Sequence, residues 1–220
     1  ENLGVHLGRG MITPPYNMIG NDAYRTMADL DGSKIRVAGR VQVAAIKRIG
    51  AVPVSIPSSE SYTSLQRGLV DTVSMNDPAF LIFKLQEISK FKNDVSLFAV
   101  NLEYCLSPDW FGDLPDDLKK VYSDWAQKAN MAISQGYYER EDRRADDIFK
   151  KAGVELIAPS ADELARWEAT VAPVTEEWVA EQEKAGRPAR KLLADIKTTR
   201  NRFEKESWDM YMNAETEADS

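Results

Sequence analysis

The stretch Asp31-Gly32-Ser33-Lys34-Ile35-Arg36-Val37-Ala38-Gly39 decides the reading of this chain, together with Gly50-Ala51-Val52-Pro53-Val54 and Glu60-Ser61-Tyr62-Thr63-Ser64-Leu65-Gln66-Arg67-Gly68-Leu69-Val70-Asp71 that follow it. Ile35-Val37 reads as a short strand. Val43, Ile46 and Ile49 recur at helical spacing, so the segment from Val41 to Ile49 reads as a helix that Gly50 ends. The run from Val52 to Ile56 alternates as a second strand, and Pro53 suits a strand entry or an edge. Ser59 or Ser58 can cap a helix over Tyr62 to Arg67, Gly68 closes it, and Leu69 to Ser74 reads as a third strand. Strand, helix, strand, helix, strand predicts a small α/β layer and not a helical bundle. Arg36 lies in the first strand between two glycines, where its planar, permanently charged fork can clamp a carboxylate through two parallel hydrogen bonds.

Working outward, residues 1–30 are rich in Gly, Pro and Asn. Pro14-Pro15 forbids a helix there, so this part reads as an irregular or partly extended approach. Downstream, a helix is expected from Pro78 to Phe91 and a strand from Val95 to Asn101. Leu114-Pro115-Asp116-Asp117 marks a helix start, and apolar residues at helical spacing continue with few breakers to Lys151. One long helix bending at Gly136 is therefore expected. Gly153 ends it, Val154 to Ala158 reads as a strand, and Ser160 with Glu163 reads as a reciprocal capping box. That box opens a helix whose apolar face carries Leu164, Trp167, Val171, Val174 and Trp178. Gly186-Arg187-Pro188 breaks it, a last helix runs from about Ala189 past Phe203, and the stretch from Asn213 to Ser220 reads as a polar, acidic, frayed end.

Composition narrows the function. The chain has 220 residues, 43% of them hydrophobic, and a formal net charge of -7. That suffices for a sizeable core and argues against nucleic acid, which calls for a basic stripe or groove. Cys105 is the single cysteine and His6 the single histidine, so an internal disulfide, a cysteine-based metal cluster and a histidine-based triad are all disfavoured. No cofactor is implied, since the chain contains no Gly-rich phosphate loop of the expected form. No signal-peptide pattern and no uncharged apolar run of about 20 residues occurs, so stable membrane insertion is not expected. The first residue is not Met, which is compatible with a leader having been removed.

The quoted segments are similar to those of the solute-binding proteins of tripartite ATP-independent periplasmic (TRAP) transporters, the dicarboxylate-binding DctP type. The resemblance extends through Trp110, Leu114-Pro115 and Lys151-Ala152-Gly153-Val154-Glu155-Leu156 to Pro173-Val174. It implies a periplasmic-binding-protein-like, two-lobed α/β fold of type II-like topology, with a long lobe-spanning helix. The family's first lobe opens before anything seen here, so that lobe is expected to be incomplete. On this reading residues 14–101 and 142–203 form the second lobe, residues 102–141 are the return segment of the first with the start of the long helix, and residues 204–220 are an acidic tail. The implied function is binding of a small organic acid anion in the periplasm for delivery to TRAP membrane permease subunits, without catalysis.

The resemblance also selects site residues. Arg36 looks like the family arginine that pairs with the ligand carboxylate, against the plainer reading of a structural ion pair. Ligands of α/β folds meet the carboxyl ends of the strands, which makes Asn76, Asp77 and Met75 candidates for contact. Asp77 is equally a candidate helix cap. Asn101 falls where the family crosses between lobes, as a ligand donor or a hinge turn, and Trp110 is a cleft-proximal aromatic or a core packer. Arg40 reads as solvated, Tyr62 as packed, and Glu60 as a helix-start residue. The charge run from Glu139 to Asp147 reads as a solvated helix face. Two rival functions follow from the same residues: an enzyme with Arg36 as anchor and Glu60 or Asp77 as base, and a helical interaction module built on the 114–151 helix with an exposed apolar stripe.

Overall fold

The computed structural model describes residues 6–131, 133 and 139–203. Two strands open the chain, β1 (His6–Ile12) and β2 (Tyr16–Gly20), joined through Pro14-Pro15. Then come β3 (Lys34–Val37), α1 (Arg40–Arg48), β4 (Val52–Ser55), α2 (Ser61–Gln66) and β5 (Thr72–Met75). They are followed by α3 (Asp77–Ile82), β6 (Phe91–Phe98), β7 (Asn101–Leu106), α4 (Pro108–Gly112), α5 (Asp116–Met131), α6 (Glu139–Lys151), β8 (Glu155–Ile157) and α7 (Ala161–Val171). The main sheet is mixed, in the order β4-β3-β5-β2-β6-β8. Strand β3 runs parallel to β4 and β5, β2 is antiparallel to both β5 and β6, and β8 is parallel to β6. Strands β1 and β7 form a separate antiparallel ladder.

Alternation along the strands divides the core between the two faces of this sheet. Met18, Ile35, Val37, Ile46, Ile49, Val95 and Trp167 pack together on one face, with α1 and α7 supplying the cover. Ile19, Val73, Met75, Phe80, Phe149 and Val154 form the second cluster, with α3 and α6 against it. Arg36, between Ile35 and Val37, therefore belongs to the opposite face from its two neighbours. Gly50 takes a φ of 90° at the end of α1, a left-handed turn that glycine adopts without a Cβ clash. Strand β4 forms an edge of the sheet, with Pro53 in its interior. Gly20 lies where β2 passes β5 so closely that a Cβ there would run into the Asp71 carbonyl and Thr72.

The chain divides into two compact units, Glu1–Val171 and Ala172–Ser220. In the second, α8 (Pro173–Lys184) and α9 (Ala189–Phe203) pack as a hairpin around Gly186. The Arg190 guanidinium pairs with Glu176 at 2.9 Å, and the Arg190 amide donates to the Glu183 carboxylate at 3.0 Å.

Several sequence expectations are corrected. The start is not an irregular approach: β2 is an interior strand, and its residues from Asn17 to Gly20 are all buried, so no in-out alternation betrays it. The helix expected from Pro78 to Phe91 stops at Ile82, because Lys84 turns into the left-handed region (φ 56°) and sends Leu85 into the core. The strand expected from Val95 to Asn101 straddles β6, its link and the start of β7. The helix expected to start at Ser160 is two helices, parted at Pro173, which has no amide hydrogen to continue the first. Ser58 and Ser59 do not cap α2; they lie in a 3₁₀ turn over Ser58–Glu60. Of the 114–151 helix, α5 and α6 are seen, and the bend at Gly136 lies outside the described residues, as does the tail at 204–220.

Candidate functional site

The topology gathers the candidate residues at one edge of the sheet. Parallel β3, β4 and β5 present their carboxyl ends together. Antiparallel β2 brings its amino end there, with Asn17 opposite Met75, and β6 brings its carboxyl end, with Phe98 opposite Tyr16. Both strands of the β1–β7 ladder leave the main sheet at this edge, where the Thr13 amide donates to the Val100 carbonyl at 2.9 Å. This is the position at which α/β folds bind ligands.

Arg36 is the side chain of interest. It is 1% exposed, yet among the described residues no carboxylate pairs with it. Its Nε–H donates to the Ile56 carbonyl at 2.8 Å and its Nη2–H to the Ser58 hydroxyl oxygen at 2.9 Å. Both acceptors come from the segment between β4 and α2, so that segment fixes the plane of the guanidinium. Burial lowers the Arg36 pKa from its ordinary value, and Tyr16 opposes that. Burial likewise raises the Tyr16 phenol while the arginine's charge pulls it back. A buried cation costs free energy unless it is paired, so an unpaired one marks a place where an anion is stabilised.

Asn76 and Asp77 follow β5, the strand that pairs with β3. The cap of α3 is Asn76 and not Asp77: the Asn76 Oδ1 accepts from the Ala79 amide at 3.0 Å. The Asn76 amide group has no acceptor among the described residues. Asp77 instead pairs with the buried Lys92, whose Nζ lies 2.5 Å from Asp77 and 2.7 and 2.9 Å from the partly exposed Asp94 and Asp146. The lysine ammonium also lies 5.6 Å from the centre of the Phe149 ring. Burial alone would lower Lys92, but the three carboxylates more than offset it and hold the amine above its ordinary range. Burial raises Asp77, with Lys92 and the Asn17 amide pulling it back.

Met75 is buried in the core beneath this edge. Asn101 is exposed, pairs across the ladder with Ile12, and its amide donates to Glu103. Trp110, in α4, is 52% exposed, so it does not pack into a core. Arg40 and Glu60 are exposed, and Tyr62 packs on the second core cluster, as expected. Ser160 caps α7 as expected, accepting from the Glu163 amide at 3.2 Å, but the reciprocal half of the box is absent. The Glu163 carboxylate accepts instead from the Met27 amide at 2.6 Å and from the Trp167 indole at 3.0 Å.

Sequence reasoning missed Ser58, Asn17 and Lys92. For Lys92 a signal existed, since the polar run Lys92-Asn93-Asp94 interrupts an apolar context. A hollow of about 470 Å³ is lined by Arg25, Glu155, Ser160 and Glu163 among others, and Arg36 is not part of its wall. Its charged groups are already engaged, Arg25 with Glu155 at 3.1 Å. Among the described residues no group of His, Cys, Asp and Glu could hold a metal, and no helix is long and apolar enough to cross a membrane.

Comparison with known proteins accords with this architecture. The family described as DctP, bacterial extracellular solute-binding protein family 7, matches residues 16–182. The C4-dicarboxylate-binding periplasmic protein DctP of Rhodobacter capsulatus is 28% identical over 151 residues, covering 68% of this chain and 45% of the relative. A solute-binding protein of Albidiferax ferrireducens is 26% identical over 144 residues, 64% of this chain and 42% of that one. The chain thus spans less than half the length of these relatives. Among solved structures, a TRAP periplasmic solute binding protein of Desulfovibrio salexigens with bound orotic acid superposes with a TM-score of 0.81 at 23% identity, covering 87% of this chain and 62% of that one. One from Shewanella oneidensis with bound succinate gives 0.74 at 21% identity, over 80% and 58%. The fold is theirs over that part, which bears out the expected periplasmic-binding-protein-like, two-lobed α/β class. With the family match running from β2 to α8, this chain belongs to the bacterial extracellular solute-binding proteins of family 7, the DctP family.

Proposed function

We propose that this chain binds a small organic acid anion in the periplasm and hands it to the membrane permease subunits of a TRAP-type transporter, with Arg36 clamping the ligand carboxylate. The observation that carries the reading is the buried guanidinium of Arg36, held in plane by Ile56 and Ser58 and facing no carboxylate among the described residues. Two parallel charge-assisted hydrogen bonds from a dry arginine are strong and directional, and a lysine could not reproduce them. Asn76, at the same edge, is a second donor through its free amide, whereas Met75 is taken up by the core and Asp77 by Lys92. Residues 14–101 and 142–203 form the second lobe in this scheme, residues 102–141 return through the first, and closure of the lobes buries the ligand. No catalytic step is assigned, because Asp77, the better candidate base, is engaged by Lys92 and Asn17.

One observation favours a second reading, a helical interaction module. Leu118, Val121 and Trp125 lie on α5 at helical spacing and are all exposed. A thermal-shift screen of the full-length protein against organic acids, repeated with Arg36→Lys, separates the two. Stabilisation by a carboxylate that the variant loses supports ligand capture. A folded protein that responds to no acid overturns the Arg36 assignment and leaves the interaction module.

A further inference from the structure

We infer that Ser58 is a specificity residue of this site, donating its hydroxyl proton to an oxygen on the carbon adjacent to the ligand carboxylate, so that the favoured substrates are 2-hydroxy and 2-oxo acids. This rests on the reading of Arg36 as the carboxylate clamp and goes beyond it. A guanidinium has two faces able to take a pair of acceptors: a side face formed by Nε–H and Nη2–H, and an end face formed by Nη1–H and the other Nη2–H. In this protein the Ile56 carbonyl takes Nε at 2.8 Å, which closes the side face to a carboxylate pair, and the Ser58 oxygen takes one hydrogen of Nη2 at 2.9 Å. A carboxylate must therefore sit on the end face, with one oxygen on Nη1 and the other on Nη2.

Ser58 is thereby placed in a defined relation to the ligand. Its oxygen accepts from Arg36, so its own O–H points away from the guanidinium, and among the described residues that proton has no acceptor. Two acceptors on the two hydrogens of one nitrogen stand about 5 Å apart, which is too far for Ser58 to reach the carboxylate oxygen directly. An oxygen on the next carbon of the ligand, turned to the same side as that carboxylate oxygen, stands between it and Ser58 and accepts the serine proton. Acids with a bare methylene at that position leave the serine proton unpaired in a site that has excluded water, which is the source of discrimination.

The test uses matched probes on the full-length protein: malate against succinate, and 2-hydroxybutyrate and 2-oxobutyrate against butyrate, with affinities measured by calorimetry. The expected result is that the 2-oxygenated member of each pair binds about tenfold more tightly. Ser58→Ala should bring each ratio close to one, whatever affinity both members of a pair lose together when Arg36 loses this partner, and Ser58→Thr should restore the preference. Arg36→Lys should weaken both members of every pair alike. Acids that bind through Arg36 with no preference in the native protein, or a preference that survives Ser58→Ala, overturn the role of Ser58 and leave the clamp intact. Binding that is indifferent to Arg36→Lys overturns the clamp itself, and this inference with it.

Discussion

Asn17 and Asp77, 60 residues apart in the chain, meet in the interior with the Asn17 amide donating to the Asp77 carboxylate at 2.9 Å. The carbonyl oxygen of the same side chain accepts from the Val95 and Ser96 amides, both at 3.1 Å. Those amides lie in a bulge of β6, where Ser96 takes a φ of 48° and the pairing with β2 shifts. One asparagine thus ties the start of α3 to the irregular part of the strand that leads out of the sheet.

Replacing Asn17 with alanine should strand both amides and leave that carboxylate with Lys92 alone. Each buried group left without a partner costs on the order of 1–3 kcal/mol, so the variant should unfold at clearly lower urea concentration. A midpoint equal to that of the native protein would show that water satisfies both amides.

Lys92→Met should be more damaging, since it removes the shared cation of Asp77, Asp94 and Asp146. Breaking a buried ion pair from one side costs about 3–5 kcal/mol. Adding Asp77→Asn to that variant should recover part of the loss. The amine's pKa is raised on folding, so its contribution is complete below the ordinary lysine value of 10.5 and disappears as the pH rises through the higher folded value. Chemical denaturation of both variants, with the native protein followed into the alkaline range, checks these expectations.

Glu163 gives the opposite sign. Its hydrogen bonds from the Met27 amide and the Trp167 indole lower its pKa from 4.5, so the unfolded state binds the proton first. Its contribution is present above the ordinary carboxylate value and is lost as the pH falls through the folded one. The melting-temperature difference between the native protein and Glu163→Gln should be positive at pH 6 and shrink towards pH 3. A difference that does not change with pH would mean that the carboxylate's charge contributes nothing.

Gly20→Ala should destabilise by about 1–3 kcal/mol, because the new methyl group meets the Asp71 backbone, which cannot swing aside as a side chain would. The melting temperature measures this directly. A neutral outcome would mean that β2 and β5 separate without cost.

Legibility in the sequence followed from range. The segment from β3 through β5 was readable because glycines bound its elements and each helix shows its own spacing. Arg36 stood out through its place in that pattern. Strand β2 was hidden because both its faces are buried, which erases the alternation, and the end of α3 was hidden because a lysine, not a glycine, makes the left-handed turn. The partners of Arg36 are a backbone carbonyl and a serine 20 and 22 residues away, and the Asn17 contacts span 60 and more, so no local pattern announces them. Ser58 itself is visible in the sequence only as a candidate helix cap, and the cap position of α2 falls to Glu60.

Pro53 has a consequence for how this protein behaves in a crowd. The Val52 amide points inward to the Ser33 carbonyl at 2.8 Å, so by alternation the backbone nitrogen of residue 53 faces the open side of β4. That nitrogen carries no hydrogen. A second chain laid against this strand would find no donor at its middle and could not continue the ladder, which protects a bare sheet margin from edge-to-edge aggregation.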